Sequence, residues 1–320
     1  MKNFSLGVQF HRLPVETYVV AFTVVLWIIL TFTAPNFLTA DNIANMMRSV
    51  SFSGIIAIGV LCTIIIAGID LSVGSVAAFC GVIVAQLLSH GYGIPLSVFL
   101  TMCVGILVGA MNAAGVGKLG IPAFVVTLAG LRVYRGFALL AAGGMTVGGL
   151  PPEIKDFARG SLLGIPNLFL TMIVVGIVIH YMLTYTRTGR YLYAIGSNKE
   201  AAQRQGIPVF RMTLVAYVLS AALATLAGIL LVSRLSVASP SMADGYELQA
   251  IAASVVGGAS LFGGRGTVLG AIAGAILFTT MSNAAVLLNI ESFWEMVMEG
   301  LLIALVVYLD NLQKKRQSGL

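Results

Sequence analysis

Charged residues are scarce in this chain of 320 residues, and their scarcity excludes an ordinary soluble protein. Only 9% of the residues are Asp, Glu, Lys or Arg, whereas soluble domains carry about a quarter. Hydrophobic residues make up 58% of the chain, and the mean hydropathy is +0.99. This composition predicts an integral membrane protein. The net charge of +6 therefore bears on membrane orientation, and we expect no nucleic-acid partner.

Cysteine and histidine are also few, and none is spaced for a metal site. Each of the three cysteines lies in an apolar segment, where a small core residue is the expected role. The isolated residues are Cys62, Cys80, Cys103, His11, His90 and His180. The sequence also lacks a set of nucleophile and base. We therefore expect no metal site, no cofactor in this chain and no enzymatic activity.

Apolar segments long enough to cross a membrane recur along the whole chain. A spanning helix needs about 20 mostly apolar residues. Ten segments approach this length, at 16–34, 50–67, 71–89, 95–116, 121–141, 165–184, 212–233, 246–262, 266–288 and 294–309. The expected fold is a single all-α transmembrane domain over residues 1–320, with about ten helices. The first segment is too long for a signal peptide and is predicted to be an uncleaved span.

The placement of the basic residues predicts the orientation, because Lys and Arg favour cytoplasmic loops. With a cytoplasmic N-terminus, twelve of the eighteen basic residues fall on the inner side. They are Lys2, Arg12, Lys118, Arg187, Arg190, Lys199, Arg204, Arg211, Arg265, Lys314, Lys315 and Arg316. We therefore predict a multi-pass protein of the plasma (inner) membrane with both termini in the cytoplasm.

One carboxylate interrupts an apolar run, in the stretch TIIIAGIDLSVGSVAAF at 63–79. Gly68 and Gly74 flank this residue, Asp70. They predict a break in the helix near residues 68–74, because glycine accepts positive φ and close approach of another backbone. A broken helix at membrane depth must face protein or a water-filled cavity.

Two roles for this carboxylate are open from the sequence. Asp70, Ser72 and Ser75 can cap the backbone amides that the break sets free. Alternatively, Asp70 and Ser72 line a solute pathway, since discontinuous helices often build transporter sites. Either role requires partners, because an ionised Asp at the bilayer centre costs at least about 2.5–3.5 kcal/mol.

The one long polar and basic stretch, YTRTGRYLYAIGSNKEAAQRQGIPVFR at 185–211, predicts a short helix outside the membrane. A cap residue, helix-forming residues and a glycine stop, followed by Pro208, occur in that order. These residues are Ser197, Asn198, Glu200, Ala201, Ala202 and Gly206. A helix of this kind suits the groove of a partner protein, although an ordinary basic loop is the alternative.

The glycine-rich tract GGASLFGGRGTVLGAIAGA at 257–275 has the G-x4-G spacing of a phosphate-binding loop. However, Gly264 and Arg265 replace the required Lys and Ser/Thr, and no strand precedes the tract. Small residues every three or four positions instead favour close helix packing. The chain is therefore expected to have no ATPase of its own.

Three long motifs in a specific order resemble one family. AGIDLSVGS at 67–75, TGRYLYAIGSNKEAAQRQGI at 188–207 and GYELQAIAASVVGGASLFGGRGTVLG at 245–270 are similar to the membrane permease subunits of ribose/galactose-type sugar ABC importers. The resemblance extends from APNFLTADNIANMM at 34–47 to YLDN at 308–311.

The resemblance implies a helical permease with about ten spans that works as a dimer, with a second copy or a paralogue. A cytoplasmic ATP-binding subunit and a periplasmic or surface sugar-binding protein are its implied partners. EAAQRQG at 200–206 keeps the Glu-Ala-Ala-x-x-x-Gly core of the loop by which ABC permeases hold their ATPases, so 185–211 is the implied coupling loop. One departure is Gln249, where the family usually has Asp.

Several polar residues in or near the spans are candidates for contact with a sugar. Asn283 is the strongest of these beside Asp70 and Ser72, because a mid-span amide needs a partner. Weaker candidates are Gln86, Ser282, Asn289, Phe293 and Trp294. We expect Arg132 and Arg135 to pair within the bundle or to reach the surface. We expect Asp244, Tyr246 and Glu247 to cap a helix or to contact a docking protein.

Two classes of function remain from the sequence. The first is the translocation subunit of an ATP-driven importer for a sugar or sugar-like solute. The alternative is a stand-alone ion-coupled secondary transporter, which usually carries several intramembrane carboxylates or histidines. Asp70 is nearly alone in the apolar segments, so the sequence favours the importer.

Overall fold

The computed structural model describes residues 14–291 and a few positions between 293 and 308. This part of the chain is almost entirely helical, and the all-α prediction is confirmed. The helices are α1 Val15–Thr33, α2 Ala40–Ile65, α3 Val73–Ser89, α4 Ile94–Gly117, α5 Ala123–Ala141, α6 Ile154–Arg159, α7 Asn167–Tyr185, α8 Arg187–Ser197, α9 Lys199–Arg204, α10 Val209–Leu235, α11 Tyr246–Val256 and α12 Val268–Leu287. A small hairpin of β1 Ser161–Leu162 and β2 Ile165–Pro166 pairs antiparallel between α6 and α7.

Seven helices in the described residues are long and apolar enough to cross a membrane, and the 17-residue α3 is a shorter apolar helix. The predicted span 246–262 requires correction, because α11 covers only 11 residues and stops at Val256. Gly258 ends it with a φ of +98°, a conformation that an L side chain rarely adopts. Most of the predicted tenth span, 294–309, lies outside the described residues.

The centre of the bundle is formed by α2 and α10. Every residue of α2 from 50 to 65 is buried, and α10 packs against α2, α3 and α4. Glycines bring these helices close together: a Cβ on Gly228 of α10 would overlap the Ala77 carbonyl of α3. Such small-residue contacts replace the hydrophobic driving force that is missing between helices in lipid.

Close glycine contacts also join the short α11 to α12. A Cβ on Gly270 would overlap the carbonyl of Gly257, and one on Gly274 would overlap the carbonyl of Ala253. The predicted packing role of the glycine-rich tract is confirmed at these positions. A short helix held this tightly is possible at membrane depth because its neighbours surround it.

The periphery carries the exposed apolar side chains expected of a lipid-facing surface. Most of α1 is exposed, including Phe32 at 85%. Trp27 Nε1 donates a hydrogen bond of 3.0 Å to Thr280 Oγ1, which attaches α1 to α12. Helices α4, α5 and α7 expose similar apolar faces, so the described surface matches a membrane-embedded bundle.

The bundle has two different ends. Helices α8 and α9, the turn between α4 and α5, and the loop 257–267 lie together at one end, here called the α8 end. Lys118 stacks there over the Phe210 ring at 5.2 Å. Helix α6, the hairpin and the loop 236–245 lie at the other end, where Val147 pairs with Ala238.

Candidate functional site

The predicted helix break is present, because α2 ends at Ile65 and α3 begins at Val73. Its details differ from the expectation. The left-handed residue is Ala67, with a φ of +58°, whereas neither Gly68 nor Gly74 has positive φ. The two glycines provide space instead. A Cβ on Gly68 would lie 2.7 Å from Tyr217 Oη, and one on Gly74 would overlap the Glu247 carboxylate.

Asp70 is fully buried and organises the turn. Its Oδ1 accepts hydrogen bonds from the Ser72 backbone N–H at 3.0 Å and the Ser72 hydroxyl at 2.6 Å. Its Oδ2 accepts a bond of 2.8 Å from the Ser220 hydroxyl of α10. Among the described residues no basic side chain pairs with it. Hydroxyls and one amide satisfy this carboxylate.

The network continues through two further helices. Asn112 Nδ2 of α4 donates to Ser72 Oγ at 2.9 Å, and Tyr134 Oη of α5 donates to Asn112 Oδ1 at 2.8 Å. The Thr127 hydroxyl of α5 also donates to the Ile69 carbonyl at 3.0 Å. These bonds, with that from Ser220, connect the break to α4, α5 and α10. They satisfy buried polar groups for which lipid offers no hydrogen-bond partner.

Of the predicted capping residues, only Asp70 binds a freed amide. Ser72 uses its hydroxyl on Asp70, and the Ser75 hydroxyl donates to the Ser72 carbonyl at 2.7 Å. The Ser72 oxygen instead accepts a hydrogen bond from Asn112 Nδ2 of α4. Since Ser220 lies near the middle of the 27-residue α10, the network lies well within the bundle.

A cavity of about 460 Å³ is lined both by residues of the break and by residues of the polar segment 185–211. It extends from Gly68 and Tyr217 to the residues around Ser197, and the turn between α4 and α5 forms another wall. The Tyr217 hydroxyl is buried and has no hydrogen-bond partner among the described residues. The α8 end of the molecule is therefore open up to the level of the break.

The polar segment contains two helices, of which the sequence predicted only the second. Asn198 caps α9 by accepting a bond of 2.9 Å from the Ala201 N–H. Gly206, with φ of +78°, ends α9: its N–H and that of Ile207 donate back to the last turn at 3.0 and 3.1 Å. This pair of backbone hydrogen bonds is a Schellman motif.

Helix α9 presents a mainly polar surface to solvent. Lys199, Glu200, Ala201, Gln203 and Arg204 are exposed, as are Ser197 and Asn198 before the helix, whereas Ala202 is buried. The preceding helix α8 is amphipathic and buries Leu192 and Ile195 on the bundle, with Thr186 at its N-terminus as the cap. The exposed part of the segment is thus held on a packed base.

Tyr193 fixes α8 to the loop after α11. Its hydroxyl donates to the Gly266 carbonyl at 2.7 Å. Burial raises the pKa of Tyr193 to about 12, further above neutral pH than that of an ordinary tyrosine.

Asn283 has a partner within the chain. It exchanges two hydrogen bonds with Asn42 of α2, at 2.8 and 3.0 Å. The predicted mid-span position requires correction, because Asn283 lies near the end of α12 at Leu287 and pairs with the first turn of α2. A neighbouring helix thus satisfies this amide, and contact with a solute stays a prediction. Similarly, Gln86 Nε2 donates to the Ala141 carbonyl at 2.9 Å.

The two arginines of α5 differ. Arg132 is exposed. Arg135 binds the loop 236–245 through the Pro240 and Met242 carbonyls at 2.7 and 2.9 Å, and pairs with Asp244 at 3.5 Å. Arg135 therefore has partners within the chain, but they belong to the loop at the end of the bundle, and the Asp244 side chain is exposed.

At the start of α11, Glu247 is buried, and its Oε2 has no hydrogen-bond partner among the described residues. The expected capping role is not observed, because α11 follows Gly245 without a side-chain cap. Phe293 and Trp294 are exposed. Within the described part of the chain, no group of His, Cys, Asp and Glu is arranged to hold a metal ion.

The other members of the Asp70 network were not predicted. Ser220, Asn112 and Tyr134 are each polar residues inside apolar spans, which is a signal visible in the sequence. Their convergence requires the packing of α4, α5 and α10 around one turn, and spacing along the chain does not reveal it.

A buried polar network at a helix break, in a bundle with one polar helical appendage, is typical of membrane transport proteins. The family described as branched-chain amino acid transport system / permease component matches residues 42–307, and the chain belongs to this family. It is an ABC permease, a non-catalytic transmembrane subunit for which no cofactor is expected. As an inner-membrane permease of this kind, it works with an ATPase and a binding protein.

Individual relatives cover nearly the whole chain. The ribose import permease protein RbsC of Haemophilus influenzae is 38% identical over 315 residues, which cover 97% of this chain and 98% of that protein. RbsC of Bacillus subtilis is 38% identical over 289 residues, with 90% of each chain covered. The autoinducer 2 import system permease LsrC of Shigella flexneri is 36% identical and covers 90% of this chain and 86% of its own. No solved structure matches the chain.

Proposed function

We propose that this chain is the translocation subunit of an importer for ribose or a similar sugar-like solute, which it moves into the cytoplasm. The observation that carries the proposal is the near full-length similarity to ribose import permeases, at 38% identity over 97% of the chain. The 36% identity to an autoinducer 2 import permease adds autoinducer 2 as a second candidate solute.

We propose that residues 197–208 dock into the cytoplasmic ATP-binding subunit. The support is local: α9 is capped by Asn198, exposes Ala201 among charged and polar side chains, and follows the packed α8. A second permease chain and a periplasmic or surface sugar-binding protein complete the proposed complex. We propose that the α8 end faces the cytoplasm, in agreement with its basic residues. The cytoplasmic position of both termini stays a prediction from the sequence.

For the solute pathway we propose a shaping role for Asp70 and Ser72. Both are fully buried and bonded to neighbouring helices, so they hold the turn beside the path. A neutral sugar needs no counter-charge, which agrees with a carboxylate that is satisfied by hydroxyls.

Reconstitution tests the proposal. The chain, its ATPase and its binding protein are placed in liposomes, and uptake of labelled ribose is measured with and without ATP. We expect accumulation only with ATP and with all partners. The control is the chain alone under a proton or sodium gradient. Accumulation under either gradient would instead establish the ion-coupled alternative.

A further inference from the structure

Three backbone segments meet at the α8 end with almost no side chain between them. They are the end of α8 at Gly196, the start of the break at Ile65–Ala67, and the loop at Gly263–Gly264. The segment at Ile65–Ala67 follows α2, and the loop at Gly263–Gly264 lies between α11 and α12. The end of α8 leads directly into α9.

The contact between Gly196 and Ile65 is the closest. A Cβ on Gly196 would overlap the Ile65 carbonyl oxygen. That oxygen also accepts a hydrogen bond of 2.9 Å from the Gly264 N–H. Ile65 is the last residue of α2, so the end of α8 rests on the point where the break begins.

The loop completes the junction from the other side. A Cβ on Gly263 would lie 2.8 Å from the Gly196 carbonyl oxygen and 2.9 Å from the Ala67 nitrogen. The bond from Tyr193 to the Gly266 carbonyl, at 2.7 Å, fixes the loop to α8. Backbone packed on backbone has no rotatable side chain that could absorb a displacement.

We propose that Tyr193 and Gly196 are positioning residues that couple movement of the docking segment to the helix break at Asp70 and to α11. This inference rests on the proposed function. A shift of α8 displaces the Ile65 carbonyl and the loop after α11 together, since both contact α8 directly. The turn that holds Asp70 follows Ile65 within five residues.

The experiment uses the complete complex in proteoliposomes and measures two quantities, ATP hydrolysis stimulated by the loaded binding protein and ribose uptake. The variants are Gly196→Ala, which fills the contact, and Tyr193→Phe, which removes one hydrogen bond without added bulk. The matched control is Gly136→Ala, because a Cβ at this glycine of α5 meets nothing within 4 Å.

We expect both variants to hydrolyse ATP at the wild-type rate with less uptake for each ATP. For Tyr193→Phe the fall is about two- to tenfold, the range that a single hydrogen bond supports. The Gly136→Ala complex is expected to behave as wild type. If Gly196→Ala does not accumulate in the membrane, the uptake for each ATP in Tyr193→Phe tests the inference.

Two results would overturn the inference while wild-type transport stays ATP-dependent. One is an unchanged uptake for each ATP in Tyr193→Phe. The other is a parallel loss of hydrolysis and uptake with a lower melting temperature, which indicates a structural role alone. A wild-type complex without ATP-dependent uptake refutes the proposed function itself and is therefore distinguishable from both.

Discussion

At the scale of single residues, Asp70 receives three hydrogen bonds and gives none. The Ser72 and Ser220 hydroxyls supply two of them, and hydroxyls can turn to donate or accept. An asparagine therefore fits the same position: its oxygen keeps the two bonds from Ser72, and its amide donates to Ser220.

Replacement of Asp70 separates geometry from charge. For Asp70→Asn we expect nearly wild-type thermal stability and uptake. For Asp70→Ala we expect a loss of stability of about 1–3 kcal/mol for each buried donor left without a partner. The measurements are thermal unfolding of the purified protein and ribose uptake normalised to folded protein. Loss of uptake in a stable Asp70→Asn protein would show that the charge itself is required.

The residue types at this turn were predictable, but their partners were not. An aspartate between glycines in an apolar run indicates a helix break, and the break is observed between Ile65 and Val73. The positive φ at Ala67 was not predictable, because alanine has no preference for that conformation. It arises where the chain must turn between two buried helices.

At the scale of elements, the long helices followed from hydropathy and the short ones did not. Hydropathy alone extended α11 to residue 262, since apolar residues continue past Val256. The glycines at 257 and 258 interrupt the helix although they do not interrupt the apolar character. Helix α8 was not predicted, because its polar face gives this amphipathic helix a low mean hydropathy.

Helix α9 gives a prediction at this scale. Ala201 is exposed beside the Asn198 cap, so Ala201→Trp adds bulk to the docking face and leaves the core unchanged. We expect stability within about 0.5 kcal/mol of wild type. Uptake is expected to fall at least about fivefold, because overpacking of an interface costs about 1–3 kcal/mol.

The matched control for this variant is Ala201→Ser, which keeps the small volume and the exposure. Co-purification of the ATPase with each variant is measured together with uptake. Normal binding and uptake by Ala201→Trp would place the docking surface elsewhere.

At the scale of the whole molecule, orientation remains a prediction that cysteine labelling can test. Cys62 and Cys80 are buried, and Cys103 is exposed, so a Cys103→Ala background leaves no accessible thiol in the described residues. In this background we expect Ser197→Cys to react with a membrane-impermeant thiol reagent only after permeabilisation. Asp156→Cys of α6 is expected to react in intact cells with a permeable outer layer. The reverse pattern would place the α8 end outside.

The hydrogen bond between Asp70 and Ser220 joins residues that lie 150 positions apart, and this separation sets a timetable for biosynthesis. At about 5–20 residues per second, a ribosome needs about 8–30 s to make the intervening chain. During this interval the carboxylate has no partner in α10, and an unpaired charge is costly in lipid. We therefore expect the segment from α2 to α3 to reach its final packing only when α10 has entered the membrane. A nascent chain that stops before α10 keeps the two bonds from Ser72 but leaves Oδ2 of this carboxylate without its Ser220 donor.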